Sequence, residues 1–266
     1  MLSNIVDTHA HLNMSQFDSD REAVIKRATE VGVKTIVVIG TDLESSYQAL
    51  NIANSHPGIW ATVGFHPHDA GIMQTEDIDT IANLTNNKKV VAIGEIGLDY
   101  YRNRAPREIQ IQVFKWQLEL ADRMNLPVVI HSRQANSDTL SLLREWVIKP
   151  KRNSEAIGII HCFSGDIDIV RQYLDMGFYI SFGAYISYPS SSLSEVIRII
   201  PANRLIIETD SPFLPPQSHR GKRNEPAYIN ITLEVLARVR KQPVEMLARQ
   251  TTENATRVFY RFQEII

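Results

Sequence analysis

Short apolar runs rich in β-branched residues alternate along the chain with amphipathic stretches. Near-continuous apolar runs indicate strands buried on both faces, as in a parallel sheet. Strands that alternate with helices indicate repeated βαβ units. Eight strands are predicted on this basis: Asn4–His11, Thr35–Thr41, Ile59–His66, Val90–Ile96, Val128–Ser132, Ile157–Phe163, Tyr179–Tyr185 and Leu205–Asp210.

Helical patterns lie between and after these runs. The tail, Pro243–Phe262, predicts two short helices with Thr252 or Asn254 as a cap between them. The chain of 266 residues therefore matches a single α/β domain over residues 1–266, a (β/α)8 TIM barrel with extra C-terminal helices. An open doubly wound sheet is the alternative. The other predicted helices are Arg21–Val31, Leu43–Ser55, Arg107–Asn125, Ser137–Trp146, Asp168–Met176, Leu193–Ile200 and Tyr228–Arg240.

Composition narrows the function classes only a little. A hydrophobic fraction of 44% and a charged fraction of 22% are typical of a globular protein with a large core. The net charge of -2 argues against a wholly basic surface that grips duplex nucleic acid. With one cysteine, no signal-peptide pattern and no apolar run of membrane-spanning length, we expect a cytoplasmic protein without membrane association. No obligate protein partner is indicated.

Most predicted strands end in residue types that bind metals. In a parallel barrel, the C-terminal ends of all strands open onto one face, where barrel active sites are built. His9 and His11 are two residues apart on a strand, so both imidazoles point to the same side. An isolated pair of this kind could equally be ordinary histidines bonded to backbone. The convergence favours a metal site, for which the candidates are His9, His11, Glu95, His131, His161 and Asp210.

Two acidic residues among these candidates have catalytic potential. Glu95 ends a very apolar run, where its carboxylate would be costly to desolvate without a cation or hydrogen bonds. Its two oxygens would also allow it to bridge two metals. Asp210 can bind a metal and accept a proton from an attacking water. We therefore predict that Glu95 and Asp210 are the catalytic residues.

Other polar residues near the strand ends receive weaker predictions. Asp7 is interpreted as a partner that orients an imidazole. Asp99 is either a residue of a ligand-binding loop or a simple turn acid, and the turn is favoured. The pattern leaves open whether Glu208 is a buried structural partner or supports a ligand. Cys162 should alternate to the side opposite His161 and pack as a small hydrophobic residue.

Two loops with basic and aromatic residues should overhang the same mouth. Tyr100–Arg104 follows the Glu95 strand, and Ser218–Asn224 follows the Asp210 strand. Arginine suits phosphate oxygens and tyrosine can stack on bases, although solvated loops without a ligand are the alternative. His66 could contact substrate or only stiffen the turn at Pro67. The candidate substrate contacts are His66, Tyr101, Arg102, Arg133, Arg220 and Arg223.

The motifs together resemble the TatD family of metal-dependent DNases, within the amidohydrolase-like barrels. The resemblance extends in order along essentially the whole chain. It implies two divalent metals, one held by His9, His11 and Asp210, the other by His131 and His161, with Glu95 bridging. It also implies hydrolysis of DNA phosphodiester bonds, commonly with Mg²⁺ and with 3′–5′ exonuclease action on single strands. The matching segments are Asp7–Leu12, Gly64–His68, Gly94–Asp99, His131–Arg133, His161–Gly165, Glu208–Pro212 and Arg223–Pro226.

Two other functions are compatible with the same pattern. An amidohydrolase could cleave a C–N or carboxyl-ester bond with these metals, but many bimetallic amidohydrolases bridge their metals with a carboxylated lysine at the fourth strand, where this chain has Glu95. A non-catalytic barrel that binds nucleic acid or a partner is disfavoured by the complete ligand set. Four imidazoles favour Zn²⁺ or Mn²⁺, whereas phosphoryl chemistry favours Mg²⁺, so the metal stays open.

Overall fold

Eight parallel strands form one sheet in chain order. The computed structural model describes Leu2, residues 4–148 and residues 156–265. The sheet closes between the last strand and the first, where Asp210 N donates to His9 O at 2.9 Å and His11 N donates to Ser211 O at 2.7 Å. The predicted barrel is therefore confirmed over the open sheet. Its strands are β1 Ile5–Ala10, β2 Val33–Val38, β3 Ile59–Val63, β4 Val90–Asp99, β5 Val128–Arg133, β6 Gly158–Ile160, β7 Tyr179–Phe182 and β8 Leu205–Ile207.

A helix follows each strand and packs on the outside of the barrel. Helix α3 was not predicted, because its eight residues give too short an amphipathic pattern to stand out. None of the helices in the described residues combines the length and the apolar character needed to cross a membrane. The helices are α1 Arg21–Glu30, α2 Leu43–Ser55, α3 Asp77–Leu84, α4 Arg107–Met124, α5 Asn136–Val147, α6 Ile167–Asp175, α7 Ser194–Ile199, α8 Ile229–Arg240 and α9 Val244–Val258.

Buried apolar side chains form two clusters, one inside the barrel and one between sheet and helices. Val129 and Ile159 belong to the interior cluster. Because side chains alternate along a strand, the residues two positions later point the same way. Those residues are His131 and His161, which stand above the apolar interior at the C-terminal mouth.

The tail of the chain differs from the prediction of two short helices. Helix α9 continues without interruption to Val258, and a 3-10 helix follows at Tyr260–Ile265. Thr252 and Asn254 do not cap a helix. Thr252 Oγ1 donates to Asn4 O, and Asn254 Nδ2 donates to Leu205 O, both at 2.8 Å. These bonds fix α9 across the lower end of the barrel and leave the mouth open.

Strand ends also depart from the predicted boundaries, with consequences for the site. Cys162 and Asp210 adopt left-handed backbone conformations, with φ of 48° and 56°, so β6 and β8 end before them. Strand β4 instead runs on to Asp99, which pairs with Arg133 of β5. Gly97 permits this pairing, because a Cβ at Gly97 would lie 2.0 Å from His131 O.

Candidate metal centre

Two imidazoles and two carboxylates meet at the closure of the barrel. His9 Nε2 lies 3.3 Å from His11 Nε2 and 3.3 Å from Glu95 Oε2. His11 Nε2 lies 3.4 Å from Asp210 Oδ1. A tetrahedron of ligands with metal bonds of about 2.0–2.1 Å has edges of about 3.3 Å, so these atoms have the spacing of ligands around one cation.

A second group of imidazoles surrounds the other oxygen of Glu95. Oε1 lies 2.7 Å from His131 Nδ1 and 3.6 Å from both His161 Nε2 and His66 Nε2. The two carboxylate oxygens thus face two different sets of nitrogen atoms. The structure brings all six candidate ligands together, although they come from five strands or strand ends spread over most of the chain.

The electrostatics of this pocket favour positive charge at His161, whereas burial lowers the pKa of His9. Burial alone would raise the pKa of Glu95, but the surrounding imidazoles, His161 foremost, hold it well below its usual range. Burial would lower the pKa of His161, but the carboxylates of Glu208 and Glu95 raise it to about 10. A pocket that stabilises an imidazolium in this way also stabilises a bound metal cation.

Glu208 supports His161 from behind. Its Oε1 lies 3.0 Å from His161 Nδ1 and accepts a hydrogen bond from Cys162 N at 2.7 Å. The other ring nitrogen of His161 is thereby left facing Glu95. A carboxylate in this position fixes the tautomer and orientation of a histidine ligand. The sequence left open whether Glu208 is a structural partner or supports a ligand, and this contact shows that it supports the candidate ligand His161.

Cys162 does not pack on the far side of its strand, as the alternation predicted. The chain has already left β6, and the left-handed conformation of Cys162 turns its side chain towards the mouth. Ligand atoms of His161, Cys162 and Asp210 all lie within 4.8 Å of one another. The strand-alternation rule failed here because the strand had ended.

Asp99 is more than the turn acid that the sequence suggested. Its carboxylate is fully buried, and Oδ2 accepts from His68 Nε2 at 2.8 Å and lies 3.2 Å from His131 Nε2. Oδ1 also accepts from Arg102 N at 2.7 Å, as a turn residue would. Asp99 lies four positions after Glu95, an even spacing that puts both on one face of β4 and could have revealed this role.

Asp7 does not orient an imidazole, contrary to the prediction. Its carboxylate accepts hydrogen bonds from Thr209 N at 2.9 Å, Thr209 Oγ1 at 2.6 Å and the backbone N of His9 at 3.3 Å. Asp7 therefore ties β1 to the segment after β8 and fixes the backbone that carries His9. Complete burial raises its pKa to about 7, with these hydrogen bonds acting in the opposite direction.

His66, predicted as a substrate contact, lies buried at the edge of the second group. Its Nδ1 accepts a hydrogen bond from His68 N at 3.1 Å. The neutral ring therefore carries its proton on Nε2, the atom that faces Glu95. Burial lowers the pKa of His66 well below its usual value, which keeps the ring neutral. A neutral Nε2–H group at this position can donate to an oxygen in the mouth.

The remaining candidate substrate contacts fall into separate places on the rim. The guanidinium of Arg133 lies 4.1 Å from the centre of the Tyr101 ring, with Arg102 at 5.4 Å, so these three residues form one cluster after β4 and β5. Arg220 instead stacks on Tyr188, at 4.6 Å. The sequence predicted that these residues overhang the mouth, but it did not show that they lie in separate groups.

Arg223 is engaged by the loop after β1. Its guanidinium donates to both carboxylate oxygens of Asp20, at 2.9 and 2.7 Å, and covers the ring of Phe17. Its neighbour Glu225 accepts from Arg27 at 2.6 Å. These two ion pairs join α1 and the residue before it to the segment after β8. A contact between Arg223 and substrate stays a prediction.

A polar groove beside His11 was not foreseen from the sequence. It has a volume of about 510 Å³ and opens between the loop after β1 and the start of α2. Amide, hydroxyl and guanidinium groups line much of it. These include Asn13, Arg21, Thr41, Ser45, Gln48 and Asn51.

The sequence profile of the TatD-related DNase family matches residues 6–260. The chain belongs to this family. It is 43% identical over 257 residues to the uncharacterised metal-dependent hydrolase YabD of Bacillus subtilis, a match that covers 96% of this chain and 98% of that protein. It is 38% identical over 260 residues to the 3′–5′ ssDNA/RNA exonuclease TatD of Pantoea ananatis, covering 95% and 98%.

Solved structures give the same assignment. The crystal structure of YJJV, a TatD homologue from Escherichia coli, superposes with a TM-score of 0.90 at 30% identity and covers 98% of this chain and 99% of its own. The protein is thus a TatD-family metal-dependent hydrolase that acts on ester bonds, and its His, Glu and Asp clusters are able to bind metal.

Proposed function

We propose that this TatD-family protein is a deoxyribonuclease that removes nucleotides from the 3′ end of single-stranded DNA with two divalent cations. The main support for the proposal is that the two carboxylate oxygens of Glu95 face different ligand groups. Oε2 lies 3.3 Å from His9 Nε2, and Oε1 lies 2.7 Å from His131 Nδ1. The Pantoea ananatis relative is a 3′–5′ ssDNA/RNA exonuclease, which supports the choice of substrate.

The donor set fits two cations. His9, His11 and Asp210 would hold one of them, His131 and His161 would hold the other, and Glu95 would bridge. The spacing of the first group matches metal ligands, and two imidazole nitrogens 3.3 Å apart in a buried site need a proton or a cation between them. When bound, such cations supply Lewis acidity that makes a water a stronger nucleophile and offsets charge on phosphate oxygens.

The protein's own groups handle the protons. Asp210 is ionised near neutral pH: burial opposes ionisation, but its hydrogen bond with His11 and the charge of His161 keep its pKa low. Its carboxylate can therefore accept a proton from the attacking water. His66 would donate Nε2–H to a phosphate oxygen, which stabilises the charge that develops in the transition state.

Substrate would be held locally rather than by a basic surface, in keeping with the net charge of -2. The Tyr101, Arg102 and Arg133 cluster offers guanidinium groups for phosphate and a half-exposed ring for a base. Arg220 and Arg223 lie on the opposite side of the mouth, after β8. Their contacts with Tyr188 and Asp20 would have to rearrange, or be shared, if they reach the strand.

Cleavage of single-stranded DNA labelled at its 5′ end tests this function. We expect metal-free protein to be inactive in chelator and to shorten the strand from its 3′ end when Mg²⁺, Mn²⁺ or Zn²⁺ is added back separately. Asp210→Asn should retain the fold and lose about 100-fold or more in turnover. Asp168→Asn, which alters an exposed carboxylate on α6, is the matched control.

The same experiment distinguishes the alternative activity. Undiminished DNA cleavage by Asp210→Asn would overturn the proposed role of Asp210. Metal-dependent turnover of cyclic amides or aryl esters, without cleavage of DNA, would instead establish an amidohydrolase.

A further inference from the structure

An exposed phenylalanine stands beside the candidate metal centre. Phe213 follows the Asp210 turn, and 43% of its surface is open to solvent. Its ring meets the ring of His11 edge to face, with centroids 5.7 Å apart and planes at 71°. In the described residues, the exposed aromatic side chains are Tyr47, Tyr101 and Phe213. Of these three, Phe213 is the one in ring contact with a candidate metal ligand.

The backbone beneath this ring is held rigidly. Phe213 N donates to Asp210 O at 2.8 Å, and Phe213 O accepts from Asn224 Nδ2 at 2.7 Å. Asn224 is fully buried and also donates to Thr209 O at 2.8 Å. A surface that is already ordered loses little conformational entropy when a ligand packs on it. The backbone that carries the ring is therefore already ordered, and only the side-chain torsions of Phe213 lose freedom when a ligand binds.

The chemistry of the ring limits what can bind there. Phe213 offers no hydrogen bond, so it can contribute only an apolar, planar surface. The planar apolar surfaces of a nucleic acid strand are its base faces, and stacking of a base on an aromatic ring is favourable and tolerant of sequence. In a duplex these faces are covered by neighbouring base pairs, except at the ends. A platform of this kind selects single strands or frayed ends.

We propose that Phe213 is the stacking platform for the base of the terminal nucleotide whose phosphodiester bond is cleaved. This inference rests on the proposed nuclease function and assigns a specificity residue to the same site. His11 connects the two roles, because it belongs to the metal-ligand group and also contacts the platform. A terminal base on Phe213 would fix its nucleotide beside His11 and Asp210.

The test measures release of the first nucleotide from two single-stranded DNA substrates. One has ordinary nucleotides at both ends, and the other has abasic nucleotides at both ends. Phe213→Leu keeps an apolar contact with His11 but removes the aromatic face, and Phe213→Trp keeps that face. Tyr47→Leu on α2 is the control, because Tyr47 is exposed to a similar extent, 47%. Mn²⁺ titration of each variant checks that the metal ligands are unaffected.

On ordinary DNA we expect Phe213→Leu to lower kcat/KM about fivefold or more, the lower limit for loss of one base–aromatic stack. Phe213→Trp should match or exceed the unaltered protein. On abasic ends the unaltered protein and Phe213→Leu should be equal. An equal loss on both substrates, or no loss on either, would overturn the stacking role. Failure of the unaltered protein to cleave any strand would instead overturn the proposed function, and this inference with it.

Discussion

The Oε1 atom of Glu95 lies 2.7 Å from Nδ1 of His131. The other ring nitrogen of His131 faces Asp99 Oδ2 at 3.2 Å, so one imidazole connects two buried carboxylates. These contacts raise the pKa of His131 although burial lowers it. The carboxylates of Glu95 and Asp99 thus create a negative potential around the ring of His131. A negative potential beside imidazole nitrogens favours the binding of a divalent cation.

Removal of the carboxylate behind His161 should weaken metal binding. In Glu208→Gln the charge near His161 Nδ1 is lost, and with it the field that orients the imidazole. We expect affinity for one of two Mn²⁺ ions to fall by about 10–100-fold. Calorimetric titration of metal-free protein measures this change.

The control for this prediction is Glu234→Gln, an exposed position on α8 that should bind Mn²⁺ as the unaltered protein does. Equal Mn²⁺ affinities in Glu208→Gln and the unaltered protein would show that Glu208 has no part in the metal site.

Asp7 makes stability depend on pH. The folded state holds its proton up to about pH 7, whereas the unfolded chain releases it near the ordinary value of 3.8. Stability contributed by this group is therefore complete below about pH 4 and is lost as pH rises through 7. Asp7→Asn carries no such charge. In chelator, the thermal midpoint of this variant minus that of the unaltered protein should therefore increase from pH 5 to pH 8.

The change expected from Asp7 is at most ~4 kcal/mol over the whole interval from pH 4 to pH 7, since each pKa unit is worth about 1.4 kcal/mol, and about 3 kcal/mol between pH 5 and pH 8. Thermal unfolding followed by circular dichroism measures the effect, with Asp168→Asn as the exposed control. Midpoints of Asp7→Asn and the unaltered protein that run parallel across this range would refute the assigned pKa.

The ion pair between Arg223 and Asp20 should contribute to stability across the barrel closure. Both side chains are partly exposed, so its contribution should be modest, about 1 kcal/mol. Arg223→Ala and Asp20→Ala should each lower the free energy of unfolding, and the double variant should lose less than the sum. A double-mutant cycle in urea measures this coupling. Strictly additive losses would show that the two residues act independently.

The alternation of side chains along β-strands explains how much of the candidate site could be predicted from the sequence. His131 and His161 follow the interior residues Val129 and Ile159 by two positions, and parallel strands bring their ends to one face. The convergence of these candidate ligands, from His9 to Asp210, at one mouth was therefore predictable before any coordinates. The closure of β8 on β1 also followed from the number of repeats.

The features that escaped prediction depend on local backbone conformation. Cys162 faces the mouth because its φ is 48°, and no alternation pattern carries that information. Asp99 reaches His131 because β4 extends past Gly97, whose missing Cβ allows close approach to β5. Phe213 was not among the sequence candidates, because no sequence pattern indicates its contact with His11.

Whether Glu95 joins two cations can be measured by titrating metal-free protein with Mn²⁺, in the unaltered form and as Glu95→Gln. We expect two ions per chain for the unaltered protein and no more than one tightly bound ion for the variant, because the neutral amide cannot neutralise two adjacent cations. A single ion in the unaltered protein, or two ions bound with unchanged affinity in Glu95→Gln, would contradict this expectation.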